Sequence, residues 1–184
     1  MNYNMINEAT QNLLEGLGED VHREGLRGTP DRVARMWAEL CAGYNQDPGE
    51  ILHTDFEEGA CDQMVALTNI KGWSTCEHHL LPFSYTAHVA YIPNGRVVGI
   101  SKLARLVECF GRRLQIQERM TDSIADAIME HLQARGAMVV IEGQHLCMRA
   151  RGVKQEHAFM QTSAIRGEFQ DAATRNEFFS LIRK

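Results

Sequence analysis

The hydrophobic period changes near Met64, and that change points the chain toward a mixed architecture. Upstream, apolar residues recur every three or four positions: Ile6, Ala9, Leu13, Leu14 and Leu17, then Val33, Met36, Trp37 and Leu40. This spacing puts one apolar stripe on each of two helices. Thr29 and Pro30 read as the cap and first helical position of the second. Residues 43–63 are polar and turn-rich and read as a connection. Downstream, the run MVALTNIK is strand-like, and Tyr85, Ala87, Val89 and Tyr91 alternate along one strand face before a Pro93-Asn94-Gly95 turn. Ser101 reads as the cap of a helix striped by Leu103, Leu106, Val107, Phe110 and Leu114. A second long helix is expected over 117–134, with Met120, Ile124, Ala127, Ile128 and Leu132 inward and Gly136 closing it. AMVVIEG, residues 145–151 and residues 156–166 read as strands, and 171–183 as a last helix. Helices, strands, two helices, strands and a helix predict an α+β fold with an antiparallel sheet. The expected division is an N-terminal helical appendage, residues 1–62, and a main domain, residues 63–184.

Composition excludes several classes. No apolar run approaches the roughly 20 residues of a membrane-spanning helix. The first residues, MNYNMINEATQNLLEGLGED, lack the basic start and apolar stretch of a secretory signal. Five cysteines are an odd number at low density, which speaks against a disulfide framework and for reduced thiols in the cytoplasm. With 19 Lys+Arg against 24 Asp+Glu the net charge is −5, which disfavours a general nucleic-acid binder. The average hides a split. Residues 1–70 carry 4 basic and 13 acidic side chains, whereas 96–154 carry 10 basic and 6 acidic. Such an asymmetry fits a site for an anion, and equally fits solvated helix faces.

The densest reactive cluster is Cys76-Glu77-His78-His79. C-x-x-H spacing lets a thiolate and an imidazole converge on a borderline cation such as zinc. A second group stands at His145-Leu146-Cys147. Were 145–151 a strand, its period of two would put His145, Cys147, Arg149 and Arg151 on one face. Three arrangements satisfy these residues: a closed four-ligand structural site, an open three-ligand site with water in the fourth position, or metal-free histidines in a polar cleft. Adjacent His78 and His79 rarely both bind one ion, which frees one for proton transfer. Lys102 and Arg105 lie three apart in the first turn of the Ser101 helix, where free N–H groups and the helix dipole favour an anion such as phosphate.

TCEHHLLPF, AHVAYIPNGRVVGISKLARLVE, QIQERMTDSIADAI and HLCMRARGV, in that order, strongly resemble GTP cyclohydrolase I, and GLRGTPDRVARMW resembles that family's N-terminal helical signature. The similarity runs over about residues 10–183. It implies a tunnelling fold, in which antiparallel sheets with helices on one side assemble into a barrel, within a toroidal homodecamer whose active sites lie between subunits. It implies Zn²⁺ as cofactor, held by Cys76, His79 and Cys147, and GTP as substrate. His78 and His145 match the catalytic histidines, and Ser101 matches a residue near the ribose. Lys102, Arg105 and Arg151 match triphosphate contacts, with Arg32 an addition from the N-terminal helix. Gln117 and Glu118 match the guanine-reading positions. The implied reaction is hydrolytic opening of the guanine imidazole ring, loss of formate, and ribose rearrangement to 7,8-dihydroneopterin triphosphate. Three positions depart from the family pattern: Tyr85 for a common Gly, Leu114 for a frequent Pro, and Phe159-Met160-Gln161 for a Thr-rich run.

Overall fold

Tyr85, Ala87, Val89 and Tyr91 are all at most 5% exposed, so the alternating strand anchors the core as its pattern requires. The computed structural model describes residues 1–53, 55–56 and 61–182. The chain divides into two compact units, residues 1–42 and 43–184. The first is a helix pair, α1 (Tyr3–Gly16) packed on α2 (Thr29–Leu40). Asn2 caps α1 by accepting from the Met5 N–H at 3.1 Å. The expected Thr29 cap is corrected: α2 already includes Thr29, Gly28 takes the cap position, and the Thr29 hydroxyl is engaged by Arg32 at 2.9 Å. The apolar stripes are also less buried than their spacing suggests. Leu13 is 61% and Met36 44% exposed, and Ala34 is the fully buried member of α2.

The second unit is built on a five-stranded sheet ordered β5-β2-β3-β6-β7, numbered here along the chain. It comprises β2 (Val65–Cys76), β3 (Pro82–Ile92), β5 (Leu114–Gln115), β6 (Gly136–His145) and β7 (Met160–Gly167). The pairs β2–β3, β3–β6 and β6–β7 are antiparallel, while the short β5 joins β2 in parallel. A small two-stranded pairing joins β1 (Asp55–Phe56) to β4 (Val97–Val98). In the expected connection, α3 (Pro48–Leu52) buries Leu52, and residues 54 and 57–60 of that connection lie outside the described residues, as does residue 183 of the expected last helix.

Two helices cover one face of this sheet. In α4 (Ile100–Gly111), Leu103, Leu106 and Val107 are fully buried and Phe110 is 7% exposed. In α5 (Gln117–Leu132), Met120, Ile124 and Ile128 are fully buried. Both stripes share one core with the inward residues of β3 and β6. The other face is partly covered by α7 (Ala172–Ile182), whose Phe178 joins Phe169, Met138 and Ile92 in a second cluster. Several expected boundaries change, among them the strand expected over 156–166, which begins only at Met160. The entry to α4 is Gly99 in an extended conformation, so Ser101 lies inside the first turn and caps nothing. Leu114 leaves the α4 stripe for β5, opposite Thr75. Gln133, in the left-handed region at φ 50°, ends α5 in place of Gly136, which opens β6. Among the described residues, no helix is long and apolar enough to cross a membrane.

Tyr85 is accommodated by what faces it. It pairs with Gly72 across β2–β3, and a Cβ on Gly72 would lie 2.4 Å from the Tyr85 hydroxyl and 2.5 Å from ring atom Cζ. A Cβ on Gly111 of α4 would lie 2.5 Å from the same hydroxyl. Burial, with Glu108 adding to it, pushes the phenol up to about 12, so it stays neutral at ordinary pH. Gly72→Ala is expected to cost about 1–3 kcal/mol by overpacking a rigid ring. In a Tyr85→Ala background the same change should be nearly neutral, so urea melts of the four proteins will show strong non-additivity. Equal costs in both backgrounds would refute this packing account.

Candidate metal centre

The reactive residues collect where three strands end together. β2 finishes at Cys76 and returns as β3 at Pro82, with Thr75 opposite Pro82. The connecting turn is tied by the Cys76 carbonyl, which accepts from the Leu80 N–H at 2.9 Å, and by the Cys76 N–H, which donates to the Leu81 carbonyl at 2.9 Å. Leu80 adopts a left-handed φ of 54°, uncommon for a bulky side chain. The neighbouring β6 runs antiparallel to β3 and ends at His145, opposite Phe83. Here the structure corrects the strand expected over 145–151. Leu146–Arg149 form one helical turn, α6, closed by the Ala150 N–H donating to the Leu146 carbonyl at 2.9 Å. Leu, Met, Arg and Ala are good helix formers, and alternation over so few residues does not distinguish a strand from one turn of helix.

The turn carries Cys147 to the β2–β3 hairpin. One ligand atom from each of Cys76, His79 and Cys147 lies within 4.8 Å of the others. That span is comparable to twice a Zn–S bond of about 2.3 Å. The Cys147 thiol is pushed up first by burial and then by the neighbouring Cys76. Two thiols and an imidazole are a donor set chemically suited to a borderline-soft divalent metal.

His78 stands beside this group: its Nδ1 lies 3.9 Å from Cys76 Sγ. His145 is also outside it. Its ring stacks on the fully buried Phe83 at 4.3 Å and 11°, and its Nε2 lies 3.0 Å from Gln117 Oε1. Burial holds His145 below the ordinary histidine range, with the Glu118 carboxylate acting in the opposite direction. Arg151 places a guanidinium nitrogen 3.4 Å from His79 Nε2, at the rim. Arg149 donates to Gln144 Oε1 at 2.6 Å. Within the turn, Glu77 pairs with Arg119, which also donates to the Leu114 carbonyl and Gln115 Oε1, and Arg119 holds the Glu77 carboxyl below its ordinary range.

Other expected site residues lie elsewhere. Ser101, Lys102 and Arg105 occupy the start of α4, and the two cations line a groove of about 360 Å³ with Asp47, Glu50 and Glu108. None of the residues lining that groove belongs to the Cys-His-Cys group. Arg32 lies on α2, where it donates to the Gly25 carbonyl at 3.2 Å. Glu118 is exposed, but Gln117 is only 1% exposed and turned into the fold. Phe83 and the Glu77–Arg119 pair were not anticipated. Their signals in the sequence, a Phe beside the reactive turn and opposite charges in two separate motifs, have no meaning until the register aligns them.

The sequence profile of the GTP cyclohydrolase I family matches residues 6–183. The chain belongs to the GTP cyclohydrolase I family. A protein of Wolinella succinogenes named GTP cyclohydrolase 1 is 56% identical over 179 residues, covering 97% of this chain and 96% of that one. Its namesake from Dehalococcoides mccartyi is 53% identical over 182 residues, covering 97% and 96%. That from Streptomyces coelicolor is 52% identical over 176 residues, covering 95% and 87%. Among solved structures, the apo form of an archaeosine synthase QueF-Like has a TM-score of 0.48 at 18% identity, covering 59% of this chain and 97% of that one. The antiparallel core sheet backed by α4 and α5 is the tunnelling fold implied for GTP cyclohydrolase I.

Proposed function

We propose that this chain is a zinc-dependent GTP cyclohydrolase I that converts GTP to formate and 7,8-dihydroneopterin triphosphate. The observation that carries this reading is the convergence of Cys76, His79 and Cys147, with His78 and His145 beside them but outside the group. Three protein ligands are the number found in catalytic rather than closed structural zinc sites. The family membership and relatives above 50% identity support the same activity.

In this reading Cys76, His79 and Cys147 hold the metal. When bound, zinc supplies the Lewis acidity that makes water nucleophilic near neutral pH. Water adds at C8 and the C8–N9 bond breaks, leaving a formamide on N7. His145 delivers a proton at N7 as the ring opens, and His78 serves the other proton transfers. A second water hydrolyses the formamide, releasing formate and a free amine. The ribose rearranges to a ketone at C2′, and the amine condenses there with loss of one water, so one water is consumed overall. Glu118 accepts hydrogen bonds from the guanine N1–H and 2-amino groups, which adenine lacks. Arg151 at the rim takes the triphosphate, together with Lys102 and Arg105 and, from the N-terminal unit, Arg32, while Ser101 lies near the ribose. The α4 groove is separate from the Cys-His-Cys group within one chain. A homo-oligomer in which one subunit's α4 completes another's site fits this separation, and the family resemblance implies that it is a toroidal decamer. We place the enzyme in the cytoplasm, where its thiols stay reduced.

Incubating metal-replete protein with GTP is expected to yield formate and pterin in equal amounts, the pterin read by fluorescence after oxidation. Metal-loaded protein that releases neither would overturn the enzymatic reading in favour of nucleotide binding.

A further inference from the structure

We infer that Gln117 is a positioning residue for His145, fixing its ring and its tautomer, rather than a reader of the guanine base. The inference rests on the function proposed above. The amide nitrogen of Gln117 lies 3.0 Å from the Ile141 carbonyl, 3.0 Å from the Met160 carbonyl and 3.1 Å from Thr162 Oγ1. Carbonyl oxygens only accept, so this end of the amide is the nitrogen, and both its protons are committed. The other end is then an oxygen with nothing to donate. His145 Nε2, 3.0 Å away, must therefore carry the proton of that contact. Nδ1 is left as the ring nitrogen that exchanges a proton with the substrate.

Two further observations place this contact in a built pocket. The ring of His145 is held from one side by Phe83, stacked at 4.3 Å. Gly143, on the same face of β6 two residues earlier, supplies the space for the amide. A Cβ there would lie 2.1 Å from Gln117 Oε1 and 3.3 Å from His145 Nε2. The first turn of α5 thus divides two tasks between neighbours. Gln117 turns inward at 1% exposure to hold the acid–base group, and Glu118 faces outward where a base can be met.

The test compares wild type with Gln117→Met, which keeps the side-chain length but neither donates nor accepts as an amide does. Misplacing a reacting group by about 1 Å carries a cost of roughly 10²-fold. The expected result is a kcat for GTP lower by roughly that factor with KM little changed, and an unaltered preference for GTP over inosine triphosphate, which lacks the 2-amino group. A reader of the base would instead show a raised KM and a collapse of that preference, and this result would overturn the inference. The second variant is Gly143→Ala, whose methyl would displace the Gln117 amide oxygen and crowd His145 Nε2. In ¹⁵N-histidine-labelled protein at one fixed pH, wild-type His145 is expected to give the Nε2–H signature, and both variants to lose it. An unchanged His145 signal in both variants would also overturn the inference. Wild-type protein that shows this signature yet makes no formate from GTP would instead refute the proposed function and leave the Gln117–His145 contact standing.

Discussion

Cys147→Ala is expected to lose its bound zinc and its turnover of GTP together. The substitution removes one of three ligands while leaving the body of the fold alone, since Cys147 is only half-buried on a single helical turn. Two ligands, Cys76 and His79 on one tight turn, do not enclose an ion. Outer-shell partners of metal ligands already cost about 10–100-fold when removed, and loss of a ligand itself should exceed the top of that range in metal affinity. Elemental analysis after gel filtration should find about one zinc per chain in the wild type and close to none in the variant, with formate release at background. Circular dichroism should report the same secondary structure in both. A variant that turns over GTP without zinc would remove the metal from the mechanism proposed here, and one that retains both would remove Cys147 from the ligand set.

Phe83→Ala should give the largest loss of stability from a single residue at the site, about 3–5 kcal/mol. Phe83 is fully buried, lies in the main core, and supports the His145 ring across the β3–β6 ladder. Truncation leaves a cavity beneath a group that must not move. Urea denaturation measures the stability term. Phe83→Leu separates packing from positioning: it keeps most of the apolar volume, so its stability cost should stay below about 1.5 kcal/mol. Its kcat should nevertheless fall more than its KM changes, because the flat surface that fixes the imidazole is gone. A Leu variant with full kcat would show that the stack is only packing.

Much of the fold was legible because its elements carry strong periodic signals. Tyr85, Ala87, Val89 and Tyr91 alternate, and Leu103, Leu106 and Val107 or Met120, Ile124 and Ile128 recur at helical spacing, because each set meets one continuous core. The expectations that failed concern segments of one turn or less. His145 to Arg151 alternates in the sequence, yet the chain turns after His145 so that Cys147 can approach Cys76. Ser101 and Thr29 have capping chemistry, but each sits one or two residues inside its helix, behind a glycine that makes the entry. The residue types marked Cys76, His78, His79, His145 and Cys147 as candidates, and the family resemblance narrowed the expected ligands to Cys76, His79 and Cys147. The contact between Gln117 and His145 was not legible, because a glutamine at a helix start ordinarily belongs to the surface. Only the cross-strand positions of Ile141, Met160 and Thr162 show where its amide goes. Tyr85 likewise makes sense only with Gly72 and Gly111, which lie 13 and 26 residues away.

The unbroken ladder between β3 and β6, from Phe83 opposite His145 to Ile92 opposite Gly136, has an evolutionary consequence. Insertion or deletion of a single residue within Pro82–Ile92 would slide one strand past the other and flip the faces beyond it. Phe83 and His145 would then lie on opposite sides of the sheet. Descendants of this chain can drift in side chains and lengthen surface loops, but in this stretch they must keep the residue count. The spacing between the CEHH cluster and the Pro-Asn-Gly turn is therefore under a constraint of length as well as of identity.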